Sequence, residues 1–229
     1  MTEQSSALSA SQAEQANLVV RRVATIALLA IVLGFVMQGL ILCAKLLSGG
    51  GFPGARLFVD LTQGVTWSLL ICAGVGIGTS IAKTRQALAG LLSALFAPIA
   101  LSAAKSAQKM VADAIGVVDQ PGALSLVTIS TLRAVEYGIL GWLLASLVQK
   151  DIRHARPYVA TGTAVGLVFG GTIAALSYYA ATVKGMSPSA AQISASLVNE
   201  IVSPIGCAVV IYLGQLVGRN LSILNQNTR

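Results

Sequence analysis

The feature that most constrains the fold is residues 124–148, a near-continuous apolar stretch of 25 residues that carries two charges, Arg133 and Glu136. A helix needs roughly 20 apolar residues to cross the hydrocarbon core of a bilayer. A charge inside such a span costs at least ~2.5 kcal/mol, so charged residues there are paired or used. Arg133 and Glu136 are three residues apart, which places them within reach of each other on one helix face. Ser130 and Tyr137 share that face, so the sequence predicts a polar stripe on an apolar helix.

The composition of the whole chain indicates an integral membrane protein. Hydrophobic residues make up 55% of the sequence and charged residues only 10%, and the mean hydropathy is +0.79. Soluble domains carry about 25% charged residues, so this chain cannot cover a water-facing surface in the usual way. The formal charge of +7 comes from short basic clusters between apolar runs, with no basic patch interleaved with aromatic residues. Nucleic acid is therefore not predicted as a partner, and the lipid bilayer is.

Six apolar runs are long enough to be membrane spans, and we predict an all-α, polytopic bundle of six transmembrane helices. The predicted spans are residues 23–44, 61–82, 86–104, 124–148, 157–183 and 190–216. The third is expected to continue as an amphipathic helix in the membrane interface, because Met110, Val111, Ala114, Ile115 and Val118 follow helical spacing. The predicted layout is an N-terminal tail (1–22), a transmembrane domain (23–217) and a C-terminal tail (218–229).

The distribution of basic residues predicts the orientation. With six spans, both termini lie on one side, together with nine basic residues, against five on the other side. Positive residues favour the cytoplasm, so both termini are expected to be cytoplasmic. The Ala- and Gly-rich sequence with short loops is typical of a bacterial protein. We therefore expect a multi-pass protein of the bacterial inner (plasma) membrane.

Glycine spacing predicts where helices approach closely, since small residues let helix backbones meet in a bilayer. Gly162, Gly166 and Gly170 form the longest such face, which predicts a central position for span five. Shorter faces are Gly74 with Gly78, and Gly214 with Gly218. The glycine-rich segment 74–80 could alternatively interrupt span two and expose backbone groups, as in transporter sites. A packing face is the favoured interpretation.

The sequence also admits a repeat of three two-helix units. Residues 65–70 (VTWSLL) and 135–140 (VEYGIL) lie 70 residues apart, and each precedes a short basic turn. This pairing would make spans two, four and six equivalent, and would place Gln63 opposite Arg133. Only two of the six aligned residues are identical, so a chance match remains an alternative.

Spans four and six are predicted to bring their charged residues to one depth. Arg133 lies about nine residues, or ~14 Å, inside span four, and Glu200 about ten residues, or ~15 Å, inside span six. Ser196, Asn199, Glu200 and Ser203 form a polar stripe on span six that matches the stripe on span four. Gln38 of span one could reach the same level. The candidate binding residues are Arg133, Glu136, Asn199, Glu200, Ser203 and Gln38.

This polar centre has a surplus negative charge, because Arg133, Glu136 and Glu200 sum to −1 when all are ionised. One carboxylate is neutralised by Arg133, and the other needs a proton, a cation or a positive ligand. Pro204 removes the backbone donor that would pair with the carbonyl of Glu200, four residues earlier. Three roles stay open at this point: a transport or ligand site, a structural ion pair that locks the bundle, and a docking site for a partner's transmembrane helix.

The expected function is a transport protein, either a small carrier or the membrane-embedded substrate-binding component of a larger transporter, acting on an unknown small molecule or ion. The alternative is a non-catalytic anchor or assembly subunit of a multi-protein complex. Partner membrane subunits and a homo-oligomer are both compatible with the sequence. An enzyme is not predicted, because the chain has one histidine, His154, and no GxSxG motif. Cys43, Cys72 and Cys207 are too scattered for a metal site, and no cofactor is expected.

Overall fold

The protein is entirely helical in the part described by this computed structural model, namely residues 2–81, 86–118 and 122–227, with side chains described for 20–80, 86–118 and 122–217. The helices are Thr2–Leu47, Arg56–Ile81, Gln86–Ile115, Leu126–Gln149, Ala155–Val165, the π-helical turn Gly166–Gly170, Gly171–Val183 and Ala190–Asn227. Six segments, numbered spans one to six, are long and apolar enough to cross a membrane: Val20–Leu47, Arg56–Ser80, Gln86–Ile115, Leu126–Gln149, Ala155–Val183 and Ala190–Val217. They confirm the predicted all-α bundle of six membrane-spanning helices.

Two helices extend beyond their predicted boundaries, and a third continues as predicted. The predicted N-terminal tail continues the helix of span one from Thr2, and the C-terminal tail continues that of span six to Asn227. Span three runs unbroken to Ile115, in agreement with the predicted amphipathic continuation, and its position in the membrane interface stays a prediction. Ala, Gln, Glu and Leu are good helix formers, and polar sequence alone does not end a helix. The basic turn at 83–85 and residues 119–121 lie outside the described part.

The six spans form a ring in chain order, with alternate spans meeting inside it. Each span contacts the next, and span six contacts span one. Spans two, four and six also contact one another. The bundle is thus three antiparallel hairpins, each of which contributes its second helix to the interior. This arrangement agrees with the predicted equivalence of spans two, four and six, whereas the sequence repeat itself stays a prediction.

Span five is not the central helix, which corrects our prediction from its glycines. It contacts spans four and six, while spans two and six are the most buried. The face of Gly162, Gly166 and Gly170 is used entirely against span six: a β-carbon at Gly162 would lie 2.7 Å from the Cα of Ile205, and β-carbons at the other two would meet backbone carbonyls. A flat glycine face permits one very close neighbour, which does not imply many neighbours.

The glycine-rich segment of span two is also a packing face. Residues 74–80 lie inside the continuous helix Arg56–Ile81. A β-carbon at Gly74 would lie 2.5 Å from the Phe96 ring, and one at Gly78 would lie 3.0 Å from the carbonyl oxygen of Ala89, both on span three. The irregular backbone is in span five instead, where the π-helical turn Gly166–Gly170 faces span six. Such turns occur frequently at functional sites.

Candidate substrate-binding site

An ion cluster links spans four and six in the interior. Nη1 of Arg133 donates to Oε2 of Glu136 at 2.9 Å, and Nη2 of Arg133 lies 2.6 Å from Oε2 of Glu200. The three residues are 4%, 0% and 7% exposed, respectively. The prediction that two acids and one guanidinium on separate spans meet at one depth is therefore confirmed. Their role in binding or transport stays a prediction.

Two aromatic side chains and an amide complete the surroundings of the cluster. Cζ of Arg133 lies 5.1 Å from the ring centroid of Trp67, within range of a cation–π interaction. The Trp67 ring meets Tyr137 edge-on, with centroids 5.4 Å apart. Nδ2 of Asn199 donates to Oε1 of Glu200 at 3.1 Å. Arg133 is thus held by two carboxylates and an aromatic face, which fixes the position of its planar guanidinium.

The pairing within the cluster is incomplete. Oε1 of Glu136, Nε of Arg133 and the hydroxyl of Tyr137 are buried and have no hydrogen-bond partner among the described residues. The formal charge of the three ionisable groups is −1. An unpaired charge in a low-dielectric interior is costly, so a cluster with a surplus carboxylate favours a proton or a cationic group nearby. Glu136 is fully buried beneath Arg133, and its Oε1 has no partner, whereas Oε2 of Glu200 is held by its ion pair with Arg133 and by no other hydrogen bond among the described residues.

A cavity of about 500 Å³ ends at this cluster. Its deep end is lined by Gln38, Gln63, Trp67, Arg133, Asn199 and Glu200. Its other end is lined by Lys45, Asp60 and Lys105 and by the chain at Gly122 and Ala123. Lys45, Asp60 and the chain at 122–123 lie near the span ends opposite to both chain termini, and Lys105 lies ten residues before the end of span three. The cavity therefore leads from that side of the bundle down to the ion cluster.

The six predicted site residues divide into two groups. Gln38, Arg133, Asn199 and Glu200 line the cavity. Glu136 lies behind Arg133, and Ser203 is buried on span six outside the cavity lining. The amide of Gln38 packs against Gly64 of span two, where a β-carbon would collide with it. Small size at position 64 therefore leaves room for Gln38 at the cavity wall.

Four residues of this site are not identified by the sequence patterns. Trp67 fits packing or the membrane interface equally well, and Lys45, Asp60 and Lys105 look only like charges at span ends. The repeat offers a usable indication for span two, because it places Gln63 opposite Arg133. Both residues line the cavity, and Trp67 lies one helical turn from Gln63. Nothing in the sequence indicates that the lysines at the span ends face inward.

The backbone beside Glu200 is unusual on both helices. Span six continues as one helix through Pro204, which cannot donate a hydrogen bond to the carbonyl of Glu200. That carbonyl lies against Gly170 at the end of the π-helical turn. A weak Cα–H···O contact is the interaction available to a carbonyl in this position. Span five thus holds the backbone of Glu200 while its side chain reaches Arg133.

Beneath the ion cluster the described side chains form a packed apolar layer. Leu140 and Leu144 of span four are fully buried, as are Ile71 and Val75 of span two and Ile211 of span six, and all five belong to one hydrophobic core. The cavity thus has a charged floor above a packed apolar layer. Comparison of the chain with family models, with curated proteins and with solved structures gives no match.

Proposed function

We propose that this chain is an integral membrane transport protein, either a small carrier or the membrane-embedded substrate-binding component of a larger transporter. In this proposal it lies in the inner membrane of a bacterium with both termini in the cytoplasm, so the cavity faces away from the cytoplasm. The observation that carries the proposal is a cavity of about 500 Å³ that ends at a buried ion cluster midway through the bundle.

The placement of the ion cluster supports a ligand-binding role over a purely structural one. Buried ion pairs contribute little net stability, because desolvation offsets their attraction. A structural ion pair is best satisfied in closed packing, where no ligand competes for its groups. Here Arg133 and Glu200 both border the cavity, and Asn199 supplies a further amide at its wall. Ionisable residues within membrane spans commonly mark the pathways of substrates and ions.

The carrier and the substrate-binding component differ in what must happen at the apolar layer below the ion cluster. A carrier must open that layer so that the substrate can leave on the terminal side. A substrate-binding component needs only the one opening and passes its substrate to a partner subunit. The π-helical turn and the glycine face between spans five and six are the place where helices could slide past each other in a carrier. Stoichiometric copurification of partner subunits would favour the binding component.

The first prediction concerns access of water to the cavity. In a background with Cys43→Ser, Cys72→Ala and Cys207→Ala, we expect Ser196→Cys to react with a membrane-impermeant thiosulfonate added to intact cells. Ser196 lines the cavity four residues above Glu200. The measurement is the rate of labelling, followed by the mass shift after purification.

The matched control for labelling is Ser203→Cys on the same helix. Ser203 is 7% exposed and does not line the cavity. We expect it to react about tenfold or more slowly, because thiol reactivity requires access. Equal labelling of the two cysteines would contradict the cavity. Labelling of Ser196→Cys only from the cytoplasmic side of inverted vesicles would contradict the proposed orientation.

The second prediction tests ligand binding while the substrate is still unidentified. The protein in nanodiscs is exposed to a small-molecule extract of bacterial cells, and retained compounds are identified by mass spectrometry. We expect the retention of at least one compound to differ about tenfold between the native protein and Glu200→Gln, which keeps the shape and removes the charge at the cavity floor. The control is Asp113→Asn, an exposed acid outside the cavity lining. Identical retention by the native protein and Glu200→Gln would contradict the proposal.

A second candidate function is a membrane anchor or assembly subunit. The observation that favours it is the close pairing inside the ion cluster, where each of the three charged groups already contacts an opposite charge. In that case a partner protein copurifies at fixed stoichiometry, no small molecule is retained in dependence on Glu200, and the cavity is a by-product of packing. The retention experiment therefore distinguishes the two functions.

A further inference from the structure

A second cavity lies beside the first, between spans five and six at the end of the bundle away from the termini. Its volume is about 580 Å³, and its lining is largely apolar, including Ala174, Tyr178, Ala181, Met186, Ile193 and Leu197. Ala123, Ser177 and Ser196 line both cavities. A polar cavity and an apolar one therefore share a wall that carries two serine hydroxyls.

Among the residues that the structure describes, the first cavity contains one cation without an acidic partner. Lys45 pairs with Asp60 at 3.4 Å, and Arg133 pairs with its two glutamates. Lys105 donates to Oε1 of Gln108 at 2.9 Å, and within the described ranges no carboxylate pairs with it. An ammonium group has three donors, so Lys105 retains the capacity to bind an anion. A cation in a cavity of this kind is best compensated by a negative ligand group.

The register between spans three and four gives the height of Lys105. Gly138 packs on Ala94, and Gly90 packs on Trp142. Continuing this antiparallel register places Lys105 six residues above Arg133, which is about 9 Å along the helix axis. On span six, Ser196 lies four residues above Glu200, about 6 Å by the same rise. Lys105 and the wall shared by the two cavities therefore lie at similar heights above the ion cluster.

We propose that the two cavities together bind one amphiphilic organic anion. Its acidic head group lies at Lys105 and the hydroxyls of Ser177 and Ser196, and its apolar part fills the cavity between spans five and six. The surplus carboxylate of the ion cluster repels an anionic head from the cavity floor, so the head is held at the level of Lys105. This inference rests on the proposed function, for which it names the substrate class.

The position of the apolar cavity fits this occupant. Tyr178 and Leu197 at its rim are 50% and 41% exposed, so the cavity reaches the outer surface of the bundle. That surface faces lipid when the spans cross a membrane, so an apolar chain could enter from the bilayer. Cavities of 300–1,000 Å³ are typical of sites for small organic ligands, and each of these two cavities lies in that range.

The test uses octanoate as the probe. Equilibrium binding of radiolabelled octanoate is measured on the full chain in nanodiscs of uncharged phosphatidylcholine, with empty nanodiscs subtracted. We expect saturable binding that falls about tenfold or more in Lys105→Gln, which loses the charge facing the head group. Lys109→Gln is the matched control, since Lys109 lies one turn away on the same helix, is exposed and does not line the cavity. It should bind as the native protein does.

The apolar half of the site is tested independently of folding defects at Lys105. Ala175→Phe fills the second cavity from an exposed position and is expected to weaken octanoate binding about tenfold, by steric exclusion of the chain. Leu176→Phe, on the neighbouring exposed residue that does not line the cavity, is expected to leave binding unchanged. Acetate has the carboxylate without the apolar chain, and octanol has the chain without the charge. Neither should displace octanoate at equal concentration.

Three results would overturn the inference: no saturable octanoate binding by the native protein, equal binding by Lys105→Gln, or displacement by acetate as effective as by octanoate itself. These outcomes are separate from a failure of the proposed function. Glu200-dependent retention of other compounds without octanoate binding would keep the transport proposal and reject the amphiphilic anion. Lys105-dependent octanoate binding without any Glu200-dependent retention would keep the anion site and reject the role of the ion cluster.

Discussion

Replacing Arg133 by methionine is expected to lower the free energy of unfolding by about 3–5 kcal/mol, because two buried carboxylates then lose their common partner. Glu136 is fully buried and does not line the cavity, so water cannot replace the guanidinium beside it, whereas Glu200 borders the cavity. The measurement is unfolding in mixed micelles at increasing dodecyl sulfate, followed by far-ultraviolet circular dichroism. A loss below about 1 kcal/mol would contradict the view that Arg133 compensates both acids.

Two further variants identify the cause of that loss. Arg56→Met removes an arginine that lies outside the cavity lining and approaches Asp60 only to 4.0 Å, and it should change stability by less than about 0.5 kcal/mol. The triple variant Arg133→Met, Glu136→Gln, Glu200→Gln removes all three charges and should recover most of the stability, since uncharged replacements of buried ion pairs are often neutral or better. It should nevertheless differ from the native protein in the compounds that it retains, because the charges at the cavity floor are gone. Recovery of stability together with full ligand retention would assign the cluster a structural role only.

The contact between Arg133 and Glu200 could be predicted because the helices cross a membrane along a common axis. Residues on different spans can then be compared by their depth alone. Spans four and six run in the same direction, so counting residues from their starts compares heights on a common axis. Charges inside spans must also turn away from lipid. Depth and polarity together are sufficient to place an arginine and a glutamate beside each other, and the structure has them 2.6 Å apart.

The rotation of each helix about its own axis could not be predicted from the sequence. Trp67 lies over Arg133, and Ser203 lies outside the cavity although it shares the polar stripe of Asn199 and Glu200. Which face of a span points inward depends on packing with both neighbours, and an apolar residue is compatible with either lipid or core. The sequence does not predict the inward position of Lys105, for a related reason. Lysines near span ends usually set topology, and that role predicts no contact with the interior.

The glycine face of span five correctly predicts a packing surface, but it does not indicate a central position. Three glycines at four-residue spacing specify close approach to one partner, which is span six. The number of neighbours of a span depends on its place in the ring of helices. The spacing of glycines within one span does not predict that place. The π-helical turn at Gly166–Gly170 is equally inaccessible, because the extra residue in the turn is accommodated by the tertiary contact with span six.

That contact leads to the second large effect, expected for Gly170→Ala. A β-carbon at position 170 would collide with the carbonyl oxygen of Glu200 and lie 2.6 Å from its carbonyl carbon. Both are backbone atoms of a helix and cannot move aside as a flexible side chain would. Overpacking of this kind typically costs about 1–3 kcal/mol, and we expect a loss of unfolding free energy in that range. The measurement is the same micelle unfolding as for Arg133→Met.

The neighbouring glycine supplies a control with the same chemical change. No atom of another helix lies within 4 Å of a β-carbon at Gly171, so Gly171→Ala should not lower stability, and the higher helix propensity of alanine favours a gain of up to about 1 kcal/mol. Because Gly170 abuts the backbone of Glu200 itself, Gly170→Ala should also shift the carboxylate that contacts Arg133 and reduce Glu200-dependent ligand retention. Equal stabilities for the two alanine variants would contradict the tight backbone contact. Reduced stability with unchanged retention would mean that span five supports the bundle without positioning Glu200.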